Sequence, residues 1–341
     1  MEKKNLDWQN LGFAYHQADW RYKAEYKDGA WSAGELTQDA TVVLNECAGV
    51  LQYCQAVFEG LKAYTTQSGS IVTFRPDQNA ARLQDSARGL EIPPLPTEQF
   101  MEAVDQVVRA NAHWVPPYGT GASLYLRPYI FAKGPVIGVK PSLEYEFRLF
   151  CTPVGPYFSK GAKALRLCVS DRDRAAPHGT GHLKAGLNYA MSLHALMQAH
   201  ENGYDENLYL DAATRTFVEE TGGANLLFVT PEGKVVVPQS PSILPSITRK
   251  SLIYVAQAVL GLTVEERPVR LDELEQFAEC GLCGTAAVIS PVGCVVDHGK
   301  EIHFEKTAQG HGPVTGKLYE MLTGMQYGLV EAPEGWIHTI C

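Results

Sequence analysis

Between Arg172 and Tyr189 the chain reads Arg-Asp-Arg-Ala-Ala-Pro-His-Gly-Thr-Gly-His-Leu-Lys-Ala-Gly-Leu-Asn-Tyr, which sets one lysine, Lys184, among Gly179, Gly181 and Gly186. Stripping side chains from around a lysine lets a flat ligand approach it closely. A lysine amine deprotonated by burial or by neighbouring charge forms Schiff bases, and pyridoxal phosphate is the commonest cofactor to use one. Spacing alone leaves open a solvated lysine on a glycine-rich loop.

Such a cofactor makes three further demands. Its phosphate needs an anion cup, and Leu244-Pro-Ser-Ile-Thr-Arg249 opens a helix whose first N–H groups and dipole could supply one. Gly284-Thr285-Ala286 offers small residues that bring backbone N–H groups near a ligand. Its ring nitrogen needs an acidic partner, and Glu219 and Glu220 end a strand just before Thr221-Gly-Gly-Ala-Asn225. A carboxylate substrate needs a cation: in Tyr125-Leu-Arg127 the period of two puts tyrosine and arginine on one face, where a guanidinium can fork onto a carboxylate. Taken singly, these also read as a helix cap, an ordinary turn, solvated strand-end charges and a structurally paired arginine.

The elements that must hold these groups follow from periodicity and punctuation. In the first half, residues 48–60 carry a helical spacing through Leu51, Cys54 and Phe58; 71–74 reads as a strand, 78–90 and 97–112 as helices with Thr97 as N-cap, and 123–131 and 145–153 as strands. The Gly- and Pro-rich run 153–163 reads as a linker. Beyond it come a strand at 164–169, a helix from Lys184 to Glu201, strands at 207–211, 216–220, 226–230 and 234–237, and helices at 246–260 and 314–323. At 341 residues the length favours two domains. The 45% hydrophobic and 20% charged content is ordinary for a globular protein. A net charge of -9 argues against a nucleic-acid partner. The sequence shows no spanning apolar run and no signal-like start, so the expected place is the cytosol, with no membrane. The eight scattered cysteines read as reduced thiols; Cys280-Gly-Leu-Cys283 has no companion pair, so no metal is expected.

Order and residue type together resemble the branched-chain aminotransferases among the fold-type IV pyridoxal-phosphate enzymes. The likeness runs through Phe58-Glu-Gly-Leu-Lys-Ala-Tyr64, Arg75-Pro76 to Arg82, Ser123-Leu-Tyr-Leu-Arg-Pro128, His182 to Tyr189, Glu220 to Asn225, Leu244 to Arg249 and Gly284-Thr-Ala286. It implies a mixed α/β (α+β) fold. A small N-terminal α/β domain would cover 1–155, an interdomain loop 156–163 and a larger pseudo-barrel domain 164–341, with pyridoxal 5'-phosphate at their interface. Lys184 would form the Schiff base and Tyr189 face the phenolic oxygen. Glu220 would pair with the ring nitrogen, with Gly223 and Asn225 beside it. Arg82, Arg174, Ile247, Thr248 and Thr285 would surround the phosphate, and Leu244 pack on the ring. Tyr125 and Arg127, with the backbone of Thr285 and Ala286, would take the substrate carboxylate. Tyr53, Phe58 and Tyr157 would form apolar walls, with Tyr15 as a looser match.

The activity so implied is transamination of L-leucine, L-isoleucine and L-valine with 2-oxoglutarate, giving branched-chain 2-oxo acids and L-glutamate, in a homodimer. Rivals on the same fold are D-amino-acid aminotransferases and aminodeoxychorismate lyases; a silent scaffold protein is a rival of another class. Some animal members carry a redox Cys pair after the Thr-Ala turn. Ala287 and Ser290 stand there, so that switch is expected to be absent.

Overall fold

Strand Ser123–Ala132 sets the plan of the first half because its residues alternate. Leu124, Leu126 and Ile130 are buried against helices Pro76–Gly89 and Thr97–Ala110, which turn in Ala80, Leu83 and Ala87, and Phe100, Val104 and Val107. Tyr125, Arg127 and Tyr129 share the opposite face. The computed structural model describes residues 2–156 and 163–341. Around this strand lies a nine-stranded sheet whose pairings are all antiparallel, with Tyr145–Val154 on one side and Leu61–Thr65 and Ala56–Phe58 on the other.

The chain packs as two units. The first takes residues 2–156, Leu183–Leu187 and Met325–Cys341; the second takes 163–182 and 188–324. This corrects the expectation that everything after 164 belongs to one domain. The C-terminal strand Ile337–Thr339 pairs with Ile71–Phe74 at the edge of the first sheet. Leu183–Leu187 joins that unit because Ala185 bridges to Val57 and Leu183 fills the space beside Gly89.

In the second unit a ten-stranded sheet curls until it meets itself. Asn225–Val229, Glu279–Gly284, Val288–Asp297, Leu165–Val169, Glu206–Leu210 and Phe217–Thr221 form a ring, around a core including Leu167, Leu208, Phe228 and Val295. The ring closes through one register pair, Glu220 with Asn225. This is the pseudo-barrel that the resemblance implies. Among the described residues no helix is long and apolar enough to cross a membrane.

Several local expectations are corrected. Phe58 lies on a strand, because the helix that periodicity extends to 60 stops at Tyr53, after which Cys54 adopts a left-handed φ of 53°. Pro96, not Thr97, is the N-cap of the second helix, and no side chain caps it. The lysine precedes its helix, which runs Gly186–Glu201. Ser246 caps Ile247–Tyr254 by accepting from the Arg249 N–H, and the chain then widens into a π turn at Val255–Val259.

Candidate active site

In the first unit the segment Phe58-Glu59-Gly60 organises everything around Lys184, each residue in its own way. The lysine is fixed by its backbone: its N–H donates to Ser86 Oγ (2.9 Å) and its carbonyl accepts from the Phe58 N–H (3.1 Å). Its amine stands 4.9 Å from the centre of the Phe58 ring, and the Arg127 guanidinium lies 4.8 Å from the same ring. Such stacking contributes about 0.5–1 kcal/mol where water still reaches it. Arg127 also donates to Tyr125 Oη (3.0 Å), while its buried Nε has no partner among the described residues. Glu59 takes the side chain of Arg82. Gly60 is required by Tyr125, whose hydroxyl lies where a Cβ would stand.

Of the predicted wall residues, Tyr53 is exposed and engages the Ile137 carbonyl through its hydroxyl, while Tyr15 is exposed and packs edge-on against Phe150, the cross-strand partner of Arg127. Tyr157 lies outside the described residues.

In the second unit the strand-end carboxylates separate by alternation. Glu219 accepts from Ser240 Oγ (2.6 Å). Glu220, buried on the barrel wall, accepts from Asn225 Nδ2 (2.7 Å) and the Leu244 N–H (2.8 Å) and pairs with Arg174 (2.8 Å). Burial pushes the Glu220 carboxyl up to about 7, more than Arg174 and the Leu244 N–H pull it down. Arg174 thereby departs from the expectation that it serves a phosphate. Its guanidinium is turned to Glu220 and to the carbonyls of Gly181 (2.9 Å) and Ser242.

Ile247 and Thr248 are buried in the first turn of their capped helix, and Tyr189 is half-buried near the start of the long one. Gly223 is exposed at the turn before Asn225. Thr285 and Ala286 are half-buried in the turn between two barrel strands, where Val288 is forced to a φ of 64°. A β-branched residue in that region is strained by about 1–3 kcal/mol. Sequence reading missed this, as it missed Glu59, whose contact with Arg82 spans 23 residues and leaves no local signal.

A profile of the family described as amino-transferase class IV matches residues 56–294. The branched-chain-amino-acid aminotransferase of Haemophilus influenzae is 49% identical over 339 residues, covering 98% of this chain and 98% of its own. The chain belongs to the branched-chain-amino-acid aminotransferase family of class IV aminotransferases. Among solved structures, the Escherichia coli branched-chain amino acid aminotransferase superposes with a TM-score of 0.80 at 29% identity, over 95% of this chain and 100% of that one. The enzyme of Thermobaculum terrenum, solved in its pyridoxal-phosphate form, gives 0.79 at 27% identity, over 95% and 99%.

For this aminotransferase, Gly60→Ala is expected to push the Tyr125 ring aside and break its bond to Arg127. A catalytic group displaced by about 1 Å costs up to on the order of 10²-fold. Turnover should therefore fall at least tenfold, as measured by steady-state kinetics, with the circular dichroism spectrum unchanged. Two other groups are structural. Cys280 and Cys283 are fully buried, their thiols pushed up by burial, Cys283 to about 12, so both stay protonated. Cys294, Glu301 and His303 bring ligand atoms within 4.8 Å of one another. Arg166 already donates to Glu301 (2.6 Å) and Cys294 (3.7 Å), which makes this a satisfied polar cluster.

Proposed function

We propose that this aminotransferase binds pyridoxal 5'-phosphate covalently through Lys184 and exchanges amino groups between L-leucine, L-isoleucine or L-valine and 2-oxoglutarate. The observation that carries the reading is Lys184 itself, its backbone clamped at N–H and carbonyl while its amine projects over an aromatic ring. The groups of the second unit fit the cofactor. Glu220 is a buried carboxylate whose proton affinity burial raises in spite of Arg174, and Asn225 Oδ1 beside it is buried with no partner among the described residues.

When bound, the cofactor supplies an aldehyde that takes up the amino group and a ring that draws electrons from the substrate α carbon. Lys184 would hold the cofactor, and its amine would carry the proton taken from the substrate α carbon. Glu220 would hold the ring nitrogen, with Arg174 and Asn225 fixing the carboxylate. Tyr189 would hold the phenolic oxygen and Leu244 the ring, while Arg82, Ile247, Thr248 and Thr285 would hold the phosphate. Arg127 and Tyr125, with the Thr285 and Ala286 backbone, orient the substrate carboxylate; the unpartnered Arg127 Nε supports this. Phe58 would bound the side-chain pocket. Leucine carries three more carbons than alanine, so at roughly 0.8 kcal/mol per buried methylene it gains about 2 kcal/mol.

We also infer a homodimer acting in the cytoplasm. Ile137, Val139 and Leu143 are 74%, 89% and 86% exposed, an apolar patch of the kind a second copy covers. All eight cysteines are free thiols, which fits a reducing compartment.

The test is the absorbance spectrum of the purified protein. L-leucine is expected to bleach the long-wavelength band of the lysine-bound cofactor, and 2-oxoglutarate to restore it. A spectrum that responds to D-alanine and ignores L-leucine would exclude the assignment.

A further inference from the structure

We propose that Glu59 is a positioning residue that aims Arg82 at the cofactor phosphate. The proposal deepens the reading above, since it takes Arg82 as a phosphate ligand.

Glu59 is 0% exposed, and its carboxylate is a closed hub. Oε1 accepts from Arg82 Nε (2.8 Å), and Oε2 accepts from Arg82 NH2 (2.7 Å), Asn79 Nδ2 (2.8 Å) and the Gly60 N–H (3.3 Å). Arg82 and Asn79 stand three apart on the buried face of helix Pro76–Gly89, so one carboxylate anchors two adjacent helical side chains. The pairing with Arg82 is bidentate, and a planar fork held by two parallel bonds can neither rotate nor tilt. With the Nε and NH2 edge pinned, the NH1 corner has one fixed direction.

A buried ion pair is a poor source of stability, because desolvating two charges offsets most of their attraction. What this pair supplies is direction. A phosphate ligand that is already oriented loses no rotamer freedom when the anion arrives.

A simple counter-charge makes the opposite prediction, which allows a test by sign. If Glu59 only neutralised Arg82, Glu59→Gln would leave a stronger cation and tighten phosphate binding. If Glu59 aims the guanidinium, the same change loosens it.

The experiment compares wild type and Glu59→Gln for release of pyridoxal 5'-phosphate from the holoenzyme during dialysis. It also compares their affinity for pyridoxal, which lacks the phosphate, after the cofactor is removed. Release is expected to speed up about tenfold, with pyridoxal affinity unchanged. Unchanged or slower release overturns the proposal, and so does an equal loss for both compounds, which marks general damage. Should Glu59→Gln fail to fold, Glu59→Asp is judged by the same criteria, since it keeps the charge while drawing the carboxylate back from the Arg82 fork. A wild-type protein that binds no pyridoxal 5'-phosphate would sink the cofactor reading itself, whereas unchanged release from the variant sinks only the role of Glu59.

Discussion

Lys184→Ala is expected to lower transamination by more than about 10⁴-fold, because the proposed function makes this amine both the covalent attachment point and the group that carries the α proton. The fold should survive. The contacts that hold position 184 are made by its backbone, to Ser86 Oγ and the Phe58 N–H, and the neighbouring Leu183 and Ala185 are the buried residues. Among the side chain's contacts, its place over the Phe58 ring contributes about 0.5–1 kcal/mol. Loss of that stacking by itself corresponds to a shift in melting temperature of about 2–4 °C. Steady-state rates with L-leucine, thermal melts and the long-wavelength band together read out the three parts of the expectation. Turnover retained without the amine would refute the assignment of Lys184.

What could be read from the sequence and what could not divide along the range of the interaction. Tyr125 and Arg127 were legible because a period of two is a local rule, and the structure bonds them to each other on one face of their strand. Glycines around Lys184 were legible as absences of side chains. The elements placed between 164 and 260 were recovered within about two residues, since Pro, Gly and capping Ser246 punctuate them, whereas the barrel strands Glu279–Gly284 and Val288–Asp297 were not placed.

Four things had no local trace. Periodicity carried Phe58 into a helix because Leu51, Cys54 and Phe58 satisfy helical spacing by coincidence, while strand pairing with Tyr129 decides the matter. The return of Ile337–Thr339 to the first sheet is a pairing across more than 260 residues, which no window can contain. The hub at Glu59 and the turn of Arg174 toward Glu220 are likewise tertiary, and a residue's charge does not say which partner it finds.

Glu220→Gln is expected to reduce transamination by on the order of 10² to 10³-fold, the scale seen when one preorganised electrostatic group is removed. Glutamine fills the same space on the barrel wall and still accepts one hydrogen bond, but it cannot take the role proposed for Glu220, stabilising a proton on the ring nitrogen. The same change has a second consequence, in stability. In the cofactor-free protein the buried Glu220 carboxyl lies at about 7, against about 4.5 when unfolded. Between those pH values the folded state binds more protons than the unfolded one, so stability falls as pH rises through the window. Across the full shift the loss is on the order of 3 kcal/mol. A protonated ring nitrogen placed against the carboxylate would cancel much of that penalty, so the holoenzyme should melt with a shallower pH slope than the cofactor-free protein. Glu220→Gln should flatten the slope in the cofactor-free form, because the amide does not titrate. Thermal melts of both proteins from pH 4.5 to 8, with and without pyridoxal 5'-phosphate, measure it directly. Parallel slopes for cofactor-free wild type and variant would show that Glu220 does not carry the buried charge on which its role at the ring nitrogen depends.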